Sequence, residues 1–158
     1  MPKLDLPISA VLATPFGAMG LREADGLLHE IVFLPPGTPL QAPASPAGQA
    51  FAADLARYLA DPDAAFALPP PTGTPFQRRV WQAIAAIPRG EVRSYGALAR
   101  TLGSAPRAVG QACGANPYPL AIPCHRVVSA TGLGGFAGAT GGYLLASKRW
   151  LLHHEGVL

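Results

Sequence analysis

Long apolar runs are missing from this sequence: nothing approaches the ~18–20 consecutive apolar residues that a membrane-crossing helix needs. The N-terminal MPKLDLPISA has none of the basic region, apolar stretch and cleavage site of a secretory signal, so a cytoplasmic protein with no membrane partner is expected. Cysteine is nearly absent as well. Cys113 and Cys124 are the only two, and without a secretory signal they are expected as free thiols rather than a disulfide. The four histidines do not stand at zinc-ligand spacing from those cysteines, so neither a metal nor another cofactor is expected. Carboxylates are scarce in the second half, where residues 75–158 hold nine Lys/Arg against Glu91 and Glu155 alone. Residues 1–74 reverse the balance, with three Lys/Arg against seven Asp/Glu. A basic half is the electrostatic footprint of a nucleic-acid-binding module, although basic surfaces also occur on proteins that never meet DNA.

What is present in quantity is apolar side chain, 49% of 158 residues, enough to bury a core in one ordinary domain or two small ones. An apolar run over Ile8 to Thr14, a turn near Pro15 to Gly17 and a second run over Leu28 to Leu34 predict a small sheet. Phe51, Leu55, Tyr58 and Leu59 fall at helical spacing within Gln49 to Leu59. LPPPTG (68–73) can continue neither a helix nor a central strand, and the charge changes sign there. The boundary is therefore placed between a sheet-and-helix domain, 1–72, and a second domain, 73–158, giving an α+β fold.

The second domain reads as helices. Thr74 as cap, Pro75 in the first turn and Gln77 at the capping-box position start a helix running to about Ile87, with Phe76, Val80, Ile84 and Ile87 inward. Ser94 caps a second helix ending at Gly103 and burying Leu98 and Leu102. A third follows Ser104, carries Arg107 to Ala112 and stops before Asn116-Pro117. Two short helices joined by a glycine-containing turn predict a winged-helix-like helix-turn-helix. The second helix of the pair, PRAVGQACG, has Arg107 and Gln111 as its only long polar side chains, beside Ala108, Gly110, Ala112 and Gly114. Major-groove readers supply several Arg, Asn or Gln, whereas small residues let a backbone approach a minor groove only about 6 Å wide.

Cys124 follows a proline, precedes His125 and Arg126, and stands at a turn between an apolar run and a strand, a setting expected to expose the sulfur and to favour a thiolate over an inert buried thiol. A thiolate suits attack on saturated carbon, and His125 can generate it directly or through a water. The carboxylate that orients such a histidine is Glu155 or Glu91, with a surface role for His125 and Glu155 an equal alternative on spacing alone.

TPFQRRVW (74–81), IPRGEVRSYGALA (87–99), RAVGQACGANP (107–117), IPCHRVV (122–128) and KRWLLHHEG (148–156) together resemble the methylated-DNA–protein-cysteine methyltransferases, the O6-alkylguanine-DNA alkyltransferases. Five ordered blocks covering almost all of 74–158 make the resemblance specific. It implies DNA repair by one irreversible transfer of an alkyl group from O6-alkylguanine to Cys124, leaving O4-alkylthymine open as a second substrate. It further implies His125 as base through a water, Glu155 as its orienting carboxylate and Asn116 as organiser of the active-site turn. Arg107 would fill the base stack in place of an extruded guanine. Tyr95 would press on the phosphate backbone and donate to the purine, a role weighed against that of a core aromatic, while Ala108, Gly110 and Gln111 would lie along the minor groove of double-stranded DNA. The backbone carbonyls of Cys124 and Val127 would accept from the exocyclic amine, and Tyr95, Cys113, Val127 and Phe136 would line the pocket. A one-shot acceptor is expected as a monomer. This sequence departs from the family in its short turn between Tyr95 and Arg107, in Cys113 where a small or apolar residue is common, and in a long 132–147 loop with Phe136 where tyrosine is common. Arg126 is kept out of the DNA contacts because it can pair internally with a carboxylate.

Three other functions compete. Non-enzymatic alkyltransferase-like binders lack the cysteine, and a winged-helix regulator would carry more base-reading side chains on 105–114. A cysteine hydrolase needs a special turn, since adjacent residues on a strand point to opposite faces.

Overall fold

The computed structural model describes residues 6–135 and 142–158. The chain divides into two compact units, Met1–Pro69 and Pro70–Leu158, the division falling inside the proline run.

In the first unit β1 (Ile8–Thr14), β2 (Gly17–Ala24) and β3 (Leu27–Leu34) form an antiparallel meander in the order β1-β2-β3. The sequence shows two strands here, and the one it hides is β2. Its pattern GAMGLREA has no alternation because Ala18, Met19, Gly20 and Leu21 are buried in succession at the centre of the sheet. Gly20 leaves room for its neighbours, since a Cβ there would lie 2.9 Å from Leu34 Cδ1 and that side chain would have to shift. Helix α1 (Pro46–Ala60) starts at Ser45, whose hydroxyl accepts from Gly48 N–H at 2.9 Å. It contacts β3 and buries Phe51, Leu55 and Tyr58. Phe66 stacks on Phe51 and tilts against Tyr58, at 5.7 and 5.6 Å between ring centroids.

The second unit opens with α2 (Pro75–Ala85), whose capping box is complete: Gln77 N–H donates to Thr74 Oγ1 and Thr74 N–H to Gln77 Oε1. Val80, Trp81 and Ile84 are buried, and the Trp81 indole N–H donates to Ala112 O at 2.9 Å. Ser94 caps α3 (Tyr95–Leu102), in which Leu98 and Ala99 are buried and Leu102 is half-buried. Gly103, at φ +64°, closes α3 with Gly103 N–H on Arg100 O and Ser104 N–H on Ala99 O, the paired bonds of a Schellman end. α4 (Pro106–Gly114) starts from Ala105 with no side-chain cap bond; Pro106 pre-sets its first turn.

A 3₁₀ turn, Cys124–Arg126, leads into β5 (Val127–Val128), which pairs in parallel with β4 (Arg93–Ser94) through Arg93↔Val127 and Ser94↔Val128. This ladder ties the turn to the start of α3, and hence to Tyr95. The last helix, α5 (Gly142–His154), turns Ser147, Lys148, Leu151 and Leu152 inward. It ends in a second Schellman closure, with Gly156 at φ +86°, Gly156 N–H on His153 O and Val157 N–H on Leu152 O. Glu155 is the residue at that closure, fully buried.

Candidate active site

Cys124 is not the exposed sulfur that the sequence leads one to expect: it is buried on the first position of the 3₁₀ turn, where burial favours the thiol over the thiolate, with its own N–H on Ile122 O at 2.8 Å and its carbonyl accepting from Val127 N–H. The approach is bent: Tyr118 O accepts from Ile122 N–H at 2.9 Å around Leu120, which adopts φ +78°, rare for a leucine. Asn116 holds the bend together. Its Nδ2 donates to Ile122 O at 2.8 Å and to Cys124 Sγ at 3.1 Å, while its Oδ1 accepts from Tyr118 N–H at 2.9 Å. The side-chain amide therefore has one orientation, with its donor on the sulfur.

His125 and Glu155 meet at 2.8 Å between Nε2 and Oε2, both buried. Burial pushes the imidazole below its usual range, and the contact with Glu155 only partly reverses this, so the ring is neutral at pH 7. A carboxylate only accepts, so the proton of the neutral ring is on Nε2 and the lone pair is on Nδ1. Nδ1 is buried and has no hydrogen-bond partner among the described residues. Glu155 stands at the negative end of α5, an unfavourable place for a carboxylate. It is held there by Arg126, whose Nε and NH2 donate at 2.8 and 3.0 Å, with Arg126 NH1 on Ile87 O at 2.7 Å. Arg126 is thus paired internally, and Glu91 is engaged with Arg93 at 3.1 Å on the surface. Of the two carboxylates that the sequence leaves open, Glu155 is the one beside His125.

Cys113 is half-buried on the last turn of α4. The influence of Cys124 draws the Cys113 thiol down, while Cys113 and burial push the Cys124 thiol well above its usual value.

Lys148 is a residue that the sequence reading passed over. It is buried on α5, with Nζ donating to Val127 O at 2.7 Å, Leu133 O at 2.5 Å and Gly135 O at 3.0 Å. Burial lowers its pKa to about 8, against the opposing pull of Cys113 and Cys124. The available signal was positional: Lys148 shares a helical stripe with Leu144, Leu151 and Leu152, where an unpartnered cation would not be tolerated. Its ammonium lies 5.9 Å from the centre of the Tyr95 ring, and Tyr95 OH donates to Gly135 O at 3.3 Å. Burial, reinforced by the nearby sulfurs, raises the Tyr95 phenol well above its usual range and keeps it protonated.

Tyr95, Cys113, Asn116, Cys124, His125, Val127 and Glu155 are therefore gathered at one turn, whereas Phe136 lies outside the described residues. Val127 O and Cys124 O each already accept one bond, and a carbonyl retains a second lone pair. Arg107, Gly110, Gln111 and Gly114 occupy a different place, the outer face of α4, where Arg107 and Gln111 are exposed and Ala108 is half-exposed. A Cβ on Gly110 or Gly114 would meet nothing within 4 Å, so packing inside the chain does not demand their small size. Because Cys124 and His125 share a 3₁₀ turn and not a strand, the objection to a direct pair drawn from strand geometry does not hold. Among the described residues no cluster of three or more His, Cys, Asp or Glu could hold a metal, and no helix is long and apolar enough to cross a membrane.

Residues 75–157 match the family model of the 6-O-methylguanine DNA methyltransferase DNA-binding domain. The chain is 55% identical over 89 residues to a methylated-DNA–protein-cysteine methyltransferase of Salmonella typhimurium, covering 54% of this chain and 49% of that protein. A namesake from Thermococcus gammatolerans is 46% identical over 85 residues, 53% of this chain and 46% of that one. The chain spans about half the length of these curated relatives. Among solved structures, the Mycobacterium tuberculosis O6-methylguanine methyltransferase superposes with a TM-score of 0.75 at 32% identity, covering 95% of this chain and 93% of that one. The same organism's OGT in complex with DNA gives 0.74 at 34% identity, over 92% and 90%. Through a match that spans more than half its length and carries the whole Cys124 turn, the chain belongs to the 6-O-methylguanine DNA methyltransferase family.

Proposed function

We propose that the protein repairs DNA by moving the alkyl group of an O6-alkylguanine onto Cys124 Sγ, once per molecule, with residues 73–158 as the catalytic and DNA-binding domain. The observation that carries the reading is the pairing of a buried sulfur, held by Asn116, with a neutral imidazole whose Nε2 is fixed on Glu155 and whose Nδ1 lone pair is uncommitted. Nδ1 takes the thiol proton through a water. The thiolate then attacks the alkyl carbon, the carbon–O6 bond breaks as the C–S bond forms, and the electron pair leaving on O6 is quenched by proton uptake on the purine. Glu155 holds the imidazole and stabilises its charged form, while Arg126 fixes Glu155. Lys148 and the Asn116 amide stabilise the developing thiolate.

Double-stranded DNA is met on the outer face of α4, the second helix of a helix-turn-helix. Gly110 and Gly114 open that face to a minor-groove wall, Ala108 and Gln111 lie beside it, and Arg107 at its exposed end enters the stack as the guanine swings out. Filling the gap offsets part of the unstacking cost. The extruded purine enters beside Tyr95, whose protonated phenol donates to the ring, with Cys113 and Val127 as walls; the carbonyls of Cys124 and Val127 accept from its exocyclic amine. Since one sulfur is consumed per event, no cofactor is needed and a monomer suffices.

An oligonucleotide with a radiolabelled O6-methylguanine tests this. Label should move to protein up to one equivalent and map to Cys124, and Cys124→Ser should transfer none while still binding DNA. Turnover beyond one equivalent would indicate a hydrolase, and label on Cys113 would displace the nucleophile. Arg107→Ala should weaken lesion binding more than it slows transfer within the bound complex.

A further inference from the structure

Arg89 has no task in the alkyl transfer itself, yet it reaches the residue that orients the base. It stands in the turn that follows α2, where Glu91 N–H donates to Pro88 O at 3.1 Å and Gly90 adopts φ +87°. The side chain is exposed, and its guanidinium donates to Glu155 O at 3.2 Å. The link is reciprocated, because Arg126, which grips the Glu155 carboxylate, also donates to Ile87 O at 2.7 Å, immediately before Pro88. Two arginines therefore run between the same two segments. Arg126 ties the carboxylate to the 87–90 turn, and Arg89 ties that turn back to the Glu155 main chain. The backbones lie close as well, since a Cβ on Gly90 would sit 3.5 Å from Glu155 O.

Glu155 is thus bonded at each of its polar atoms. Its N–H donates to Leu151 O at 3.0 Å, its carbonyl accepts from Arg89, and its carboxylate accepts from Arg126 and His125. The main-chain bonds matter because a side chain is aimed from its Cα. Glu155 lies just past His154, where α5 ends and no helical ladder fixes the peptide unit that follows. A charged donor on its carbonyl sets that unit, and with it the direction in which the carboxylate leaves the backbone. The same guanidinium puts a cation at the negative end of α5, beside an anion that the helix disfavours. An exposed bond of this kind contributes little to folding, so what it supplies is orientation. We propose that Arg89 is a positioning residue for the transfer: it holds the Glu155 main chain so that the carboxylate meets His125 Nε2 at 2.8 Å. It acts through Glu155 and His125, not on the sulfur.

The kinetic consequence rests on the alkyl-acceptor reading, whereas the geometric one does not, and two measurements separate them. With a labelled O6-methylguanine oligonucleotide in saturating excess, each protein reacts once. The amplitude then counts folded protein, and the rate constant reports how well the base is placed. Arg89→Ala should still accept one equivalent, but about tenfold more slowly, short of the ~100-fold that a misplacement of about 1 Å brings. Arg89→Lys, which keeps a charged donor, should recover most of the rate. The second measurement needs no DNA. Nitrogen NMR of the imidazoles, with His125 identified through His125→Gln, should show a protonated Nε2 in the parent, a displaced Nε2 resonance in Arg89→Ala and its return in Arg89→Lys. An Arg89→Ala protein whose rate constant or Nε2 resonance matches the parent overturns the proposal, as does a loss confined to the amplitude. A parent protein that accepts no label, while its Nε2 resonance still depends on Arg89, would sink the alkyl-acceptor reading alone.

Discussion

The two units bury polar groups for different ends. Among the described residues of Met1–Pro69 the buried carboxylates are Glu30 and Asp54, and each meets an arginine that reaches water: Arg22 on Glu30 at 3.1 Å, and Arg57 on Asp54. Such pairs contribute little and tie down a surface. In Pro70–Leu158, His125, Ser147, Lys148 and Glu155 are buried with Cys124, and four of these five are directed at one turn. Burying charge is costly unless every partner is in place, so the second unit spends stability around one sulfur where the first spends almost none. The difference identifies a site without reference to any relative.

The largest expected effect tests this contrast directly. Glu155→Ala strands the Arg126 guanidinium and the His125 Nε2–H in the interior, and should cost about 3–5 kcal/mol. Asp54→Ala removes the acceptor of the Ala67 N–H, bonded at 3.0 Å, but Ala67 is exposed and water can replace it, so the loss should be about 1 kcal/mol. Urea unfolding of both variants measures the gap, and equal losses would erase the distinction between the units. The imidazole adds a pH signature. Its folded pKa is lowered, so below about 6.5 the unfolded chain binds a proton that the folded one refuses, and stability falls as pH drops. His125→Gln should flatten that slope.

Lys148→Met asks whether the buried cation serves chemistry or only packing. Loss of its charge should slow single-turnover transfer about tenfold, equivalent to about 1.4 kcal/mol. The pH profile is the sharper readout. In the parent protein the rate should climb at acid pH as His125 is freed of its proton to act as base, then bend downward above about pH 8 as the ammonium, lowered to about 8 by burial, gives up its proton. The variant should climb without the bend. A bend that persists would assign Lys148 to holding the 133–135 carbonyls alone.

Much of this was legible in the residues wherever local chemistry decides the outcome. The Thr74 capping box, the Ser94 cap and the Gly103 stop are short-range signals, and α2 and α3 form where those signals stand. β2 was not legible, because a central strand buried residue after residue loses the alternation by which strands are recognised. α4 starts at Pro106, just past Ser104 as the sequence places it, but from Ala105 and without a side-chain cap. At the site, Cys124 and His125 stood out by type and spacing, whereas the choice between Glu155 and Glu91 depended on where the end of α5 folds. Lys148 was invisible for a physical reason: lysine is almost always exposed, and the three carbonyls that hold it come from residues 13 to 21 positions away in the chain.

The smallest effect decides whether the sensitivity of the second unit belongs to the site or to the whole unit. Thr74 stands at the start of α2, where its hydroxyl accepts from Gln77 N–H at 3.1 Å, and it has no bond to the Cys124 turn. Thr74→Ala should cost about 1 kcal/mol in urea unfolding, as an ordinary N-cap does. Its single-turnover transfer rate should not change, because helix capping acts on the folded fraction and the buried network sets the state of the sulfur. If transfer slows together with stability, the strain around Cys124 is borne by the entire helical scaffold, and the contrast between the units becomes one of rigidity and not of a local site.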